Sequence, residues 1–136
     1  MRYLLRNIKG NGGIILAKKR TLYLDQDSWD ITLDGAGNIK TAISPYADAQ
    51  NVANAVRLFT NDAYLRQRQG VPHFSLDLGI QPALSEVRAV YRETALAVEN
   101  IAAATVEIAG LDTETRAMTG TIQATSKNGE TVSVEF

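Results

Sequence analysis

"QGVPHFSLDLGIQP", residues 69–82, holds two of the three prolines and the only histidine of this 136-residue chain. It lies between two stretches with helical periodicity, so it decides how those helices meet. Gly70 can take a positive φ, Pro72 fixes its own φ, and the proline biases Val71 towards extended geometry. These restrictions describe a rigid connector. His73 has no Gly-x-Ser-x-Gly elbow anywhere in the chain to serve, and reads as a packed or rim histidine. On this reading the connector makes a sharp return that carries Phe74 into the core. "SLDLG" then adds one helical turn, capped by Ser75 and stopped by Gly79.

The helix before the connector is expected over residues 45–61, with Ser44 as N-cap and Pro45 in the first position. Val52, Ala55, Val56 and Phe59 recur at i, i+3, i+4 and i+7, one buried stripe, and Gln50, Asn51, Asn54 and Arg57 lie largely off it. The helix after it starts at Pro82 and ends near Glu99-Asn100, with Leu84, Val87, Tyr91, Ala95 and Val98 as its apolar stripe. "AYLRQRQ" at 63–69 reads as a short extended piece anchored by Tyr64 and Leu65.

Strand alternation marks both ends of the chain. Leu22 and Leu24 alternate with Thr21 and Tyr23, and Ile31 and Leu33 with Thr32 and Asp34, around turns at 25–28 and 34–38. Further on, Val106 and Ile108, then Met118, Ile122 and Ala124, then Val132, Val134 and Phe136 each form one apolar face. Asn128-Gly129 is a strong hairpin signal between the last two strands. The expected fold is α+β, with two main helices covering a C-terminal three-stranded antiparallel sheet. Short N-terminal strands and a basic arm complete it. Residues 1–20 are that arm and 21–136 one domain.

Composition excludes several classes. The chain has no cysteine, so it has no disulfide framework and no thiolate metal site. The apolar run at 13–17 is too short to span a bilayer, and Lys18-Lys19-Arg20 follows where a signal peptide needs small residues. "KGNGG" at 9–13 is a flexible break without Walker spacing. Asp25, Asp27 and Asp30 fit turn chemistry, since Trp29 stands where a calcium loop needs an oxygen ligand. Glu107, Asp112 and Glu114 are the acids open to a glycosidase reading, yet they sit on a strand and a turn where carboxylates simply meet water. No cofactor or metal is expected. The net charge of −1 hides a +6 arm (Arg2, Arg6, Lys9, Lys18, Lys19 and Arg20) joined to a body of 8 basic and 15 acidic residues. The arm either neutralises its own body or reaches an acidic surface on a partner. Its single aromatic, Tyr3, supplies no stacking set, so neither nucleic acid nor membrane is an expected partner.

The order of these pieces resembles the baseplate wedge family of contractile phage tails, also called baseplate assembly protein W-like or lysozyme-like. The matching pieces are Asp30-Ile31-Thr32-Leu33-Asp34 with Gly37-Asn38-Ile39, then Gly70-Val71-Pro72-His73-Phe74, with His73 where tyrosine is usual. Leu78-Gly79-Ile80-Gln81-Pro82-Ala83-Leu84 and Arg116-Ala117-Met118-Thr119-Gly120 follow, and the likeness covers about residues 21–136. Relatives often carry a Glu-Pro-Arg or Pro-Gly turn after the second helix. This chain has Glu99-Asn100-Ile101-Ala102, so only Glu99 could correspond.

The resemblance implies a structural subunit that helps to initiate the sheath, assembled in the host cytoplasm and residing in the virion tail baseplate. Its implied partners are other wedge proteins, the tail tube or hub, and the first sheath ring. A peptidoglycan-degrading tail enzyme and a small non-viral cytoplasmic adaptor are the alternatives. Candidate partner-binding residues are the arm cations, Glu99, and Val132 and Val134 on a final strand with no lysine or proline to guard its edge. The 104–111 strand is the other possible edge, and a partner strand is expected to add to an exposed edge, unless the chain end frays or the N-terminal segment covers it.

Overall fold

The computed structural model describes residues 3–5 as backbone, and residues 20–78, 82–112, 114, 115 and 117–136 in full. Three long strands are built first by their alternation: β4 (Ile101–Leu111), β5 (Met118–Ser126) and β6 (Thr131–Glu135). They pair antiparallel through the turn at Asn128-Gly129, where Gly129 takes φ +81°. Two cross-strand rows, Val106–Ile122–Val134 and Ala104–Ala124–Val132, are buried on one face. Thr105, Glu107, Gln123 and Ser133 alternate onto the other. The α+β architecture is the expected one.

A fourth strand joins this sheet. β1 (Tyr3–Leu5) pairs antiparallel with β6, giving the order β1-β6-β5-β4. The N-terminal segment thus covers the outer side of β6. A separate two-stranded sheet pairs β2 (Arg20–Leu22) with β3 (Thr41–Ile43), extended by bridges at Leu24–Ile31 and Leu33–Ile39.

The helices cover the apolar face, α1 (Tyr46–Arg57) towards β6 and α3 (Leu84–Leu96) towards β4. Val52, Val56, Val87, Tyr91 and Ala95 are buried, as their spacing requires. Both helices are shorter than their stripes suggest. α1 starts at Tyr46, with Pro45 in the cap position after a cis Ser44–Pro45 bond. Ser44 makes no cap bond. Its hydroxyl is buried without a hydrogen-bond partner among the described residues. At the other end Leu58 turns extended, because its carbonyl accepts the Val71 N–H at 2.8 Å instead of continuing the helix. α3 begins at Leu84 and stops at Leu96, before Asn100 reverses the chain at φ +80°.

Gln50, expected off the buried stripe, is 1% exposed. Its amide behaves like a short length of strand. Oε1 accepts the Leu24 N–H at 2.9 Å and Nε2 donates to the Leu22 carbonyl at 2.7 Å. Tyr46 donates its hydroxyl to the Leu24 carbonyl and stacks on Tyr23 at 5.0 Å. These polar side chains fasten the small sheet to α1.

Candidate partner interface

The connector sets the position of everything after α1. Gly70 takes φ +100°, and a Cβ there would lie 2.6 Å from the Leu58 carbonyl oxygen, so only glycine allows this close return. The helical turn that follows, α2 (His73–Leu76), begins two residues before the expected Ser75 cap. Ser75 Oγ instead donates to the Pro72 carbonyl, and the expected stop at Gly79 lies outside the described residues.

That shift reverses the roles of two rings. His73 goes inward and is buried, whereas Phe74 is 81% exposed and does not enter the core. The physical reason is polar. The Nε2–H of His73 donates to the Val56 carbonyl at 2.8 Å, and Nδ1 lies 3.0 Å from both oxygens of Asp77. Tyr91 donates its hydroxyl to the same carboxylate at 2.8 Å. Burial first, and then this bond to Asp77, pushes the Tyr91 phenol up. A phenylalanine at position 73 would fill the space but leave the Val56 carbonyl without this donor and Asp77 without its ring-nitrogen neighbour. The histidine serves packing, as its setting in sequence suggested.

The edges of the larger sheet are β1 and β4, and β4 is much the longer. Gly120 and Phe136 exchange both backbone bonds across β5 and β6. Strand alternation then turns Thr105 and Glu107 towards β5, and leaves the N–H and C=O groups of Ala104, Val106 and Ile108 facing outward. Arg92 Nε donates to the Ala104 carbonyl at 3.1 Å and occupies one of these groups. No described strand pairs with this edge. It carries neither lysine nor proline, and its register irregularities lie at its two ends, between Ile101 and Ala103 and between Ile108 and Gly110.

The candidate residues named from sequence do not form one site. Arg2, Arg6, Lys9, Lys18 and Lys19 lie outside the described residues. Arg20 is exposed at the start of β2, its backbone paired opposite Ile43. Glu99 is exposed in the turn between α3 and β4. Val132 and Val134 are core residues at 2% and 0% exposure, on a strand flanked by β5 and β1. Their side chains offer nothing to a partner, and β6 is not the free edge, because the N-terminal strand occupies that position. The sequence reading also passed over exposed apolar groups. Tyr64, Leu65, Phe74, Leu22, Ile31, Leu33, Ile39 and Ile43 are all at least 45% exposed.

The acids do not gather. Glu107 lies on the polar sheet face, and Asp112 and Glu114 in an exposed turn. Thr115, by side chain and then backbone, and the Glu114 N–H bond the Asp112 carboxylate and hold it below the usual range. A general acid in glycoside cleavage needs the opposite shift. Among the described residues no cluster of three histidines or acids could hold a metal ion. No described helix is long and apolar enough to cross a membrane.

A strand edge with outward backbone groups and a set of exposed apolar side chains are the features of a domain suited to assembly. The chain belongs to the contractile injection system sheath initiator family, whose family model matches residues 20–129. A search of curated proteins returned no match. The family is structural, and its role lies in starting the sheath of a contractile injection system, in contact with tail and sheath components.

Proposed function

We propose that this chain is the wedge-type baseplate subunit of a contractile phage tail, and that the first sheath ring is laid down by adding a strand to the outer edge of β4. The observation that carries the reading is this edge in a chain of the sheath initiator family. Val106 and Ile108 hold backbone donors and acceptors outward over a regular stretch, and a strand from a sheath subunit satisfies them in register. Other wedge proteins and the tube or hub hold the domain in place in the virion baseplate, through the basic arm and the turn at Glu99.

The test follows from the register. Ile108→Pro removes a donor that faces outward and leaves the β4–β5 ladder intact. The equivalent change at Val134 would cut the β5–β6 ladder and unfold the sheet. With native circular dichroism, the Ile108→Pro protein should fail to start sheath, and in wild-type particles the Val106 and Ile108 amides should exchange more slowly than in the free chain. Normal sheath initiation by the folded variant, with unchanged exchange at both amides, contradicts the reading.

A further inference from the structure

Two exposed features of the chain match one another. The first is the loop between α1 and α2. Val71 donates to the Leu58 carbonyl at 2.8 Å and Thr60 to the Val71 carbonyl at 3.0 Å, closing its neck. Inside, Asn61 donates to Gln67, Arg66 to Ala63 and Gln69 to Arg66, all through backbone groups within 2.9 Å. The loop is therefore ordered before anything binds it. At its tip Tyr64 is 86% and Leu65 90% exposed. Arg66 and Arg68 flank them, both exposed, and neither forms an ion pair with another described residue. Tyrosine and arginine on a preformed support are the residue types that dominate binding energy at interfaces.

The second feature is the outer face of the small sheet. Alternation turns Thr21, Tyr23 and Ala42 towards α1, and Leu22, Ile31, Leu33, Ile39 and Ile43 away from it. These five are between 45% and 66% exposed. A contiguous apolar row on an otherwise covered sheet marks an interaction surface. Acids border it, with Asp25, Asp27 and Asp34 in the two turns and Asp30 just before Ile31. Backbone N–H groups, chiefly of Ser28 for Asp25 and of Asn38 for Asp34, hold those two carboxylates below the ordinary range. Of the two cations of residues 20–43, Lys40 lies over the Tyr23 ring at 3.8 Å, and exposed Arg20, opposite Ile43, stands at the end of the apolar row, where the four aspartates outnumber it.

One feature is an apolar tip with a basic rim, and the other an apolar face with an acidic rim. We propose that copies of this chain associate head to tail, with the Tyr64–Leu65 loop of one copy seated on the Leu22–Ile31–Leu33–Ile39–Ile43 face of the next. Such a contact is heterologous, so each pair keeps one free loop and one free face, and association continues beyond a dimer until a ring closes. It uses neither the β4 edge nor the basic arm, so its failure and that of the sheath-strand reading are separable.

Sedimentation of the purified full chain at up to about 1 mM and low salt reads this directly. The wild type should self-associate beyond a dimer, and Arg66→Glu with Arg68→Glu should weaken association about tenfold, with added salt doing the same. Leu65→Asp and Leu33→Asp should each be monomeric. Mixed in equal amounts, they should form a heterodimer and nothing larger, since one intact loop meets one intact face. A wild type that stays monomeric, self-association that survives in either single variant, or a mixture that stays monomeric overturns the proposal. Ile39→Asp replaces Leu33→Asp if circular dichroism shows that the latter is unfolded.

Discussion

His73 donates its Nε2–H to the carbonyl of Val56 at 2.8 Å, closing the chain back onto the helix it has just left. The other side of the ring meets Asp77, and Asp77 meets Tyr91 of α3. One buried polar relay thus joins α1, α2 and α3. Removing its middle strands two groups at once. Asp77→Ala should cost about 1–3 kcal/mol in chemical unfolding, and Tyr91→Phe about 1 kcal/mol. Phe74→Ser, on the neighbouring exposed residue, should stay within about 0.5 kcal/mol. A larger loss at Phe74 than at Asp77 would mean that the phenylalanine is the ring inside.

Gly70 and Gly37 both have positive φ, yet they differ in surroundings. A Cβ at Gly70 meets the Leu58 and Phe59 backbone, whereas one at Gly37 meets nothing within 4 Å. Gly37→Ala should cost about 1 kcal/mol, the conformational term alone. Gly70→Ala should cost clearly more, because the backbone must also move apart. Equal losses in thermal or urea unfolding would show that the close return is not rigid.

How far the fold could be read from sequence depended on which force decided each element. Where hydrophobic period decided, as in Val52–Val56, Val87–Tyr91–Ala95 and the last three strands, the reading held. Where polar satisfaction decided, it did not. Gln50 is buried because it stands in for strand backbone, and His73 displaces Phe74 because its Nε2–H meets the Val56 carbonyl and its other face meets Asp77. The helix ends were overrun because Leu58 and Asn100 leave the helix for tertiary hydrogen bonds that no local propensity encodes. The exposed apolar face was the least legible part. An exposed leucine row and a buried one share the same alternation, and only the stacking of Tyr23 on Tyr46 shows which side faces α1. The pairing of Tyr3–Leu5 with β6 joins the two ends of the chain, and no local pattern announces it.

Asn100 is both a conformation and a partner. At φ +80° it donates its amide to the two oxygens of buried Asp48, at 3.2 and 3.1 Å. Asn100→Gly keeps the backbone freedom and loses the amide, and should cost about 1–3 kcal/mol. Asn100→Ala adds a left-handed alanine and should lose about 1 kcal/mol more. Identical losses for the two variants would assign the whole effect to the side chain.

Alkaline pH should loosen the small sheet and the relay. Burial, and then the hydrogen bond with Tyr23, raises the Tyr46 phenol from its ordinary 10.0 to about 12, and burial raises Tyr91 further. The folded state therefore keeps protons that the unfolded chain has released. This stability is fully present below pH 10 and falls as pH rises through the folded values. Urea midpoints measured from pH 8 to 12 should decline above about 10, and less steeply in Tyr91→Phe. A flat profile, or one unchanged by the substitution, would contradict the burial of these phenols.

The edge of β4 carries the functional account, and a density map of the assembled baseplate with its first sheath ring tests it most directly. The account predicts an additional strand beside Ala104–Ile108, about 4.8 Å away and bonded to Val106 and Ile108 through backbone groups. A map in which that edge meets only solvent or side chains, with sheath contacts made elsewhere on the domain, would contradict it.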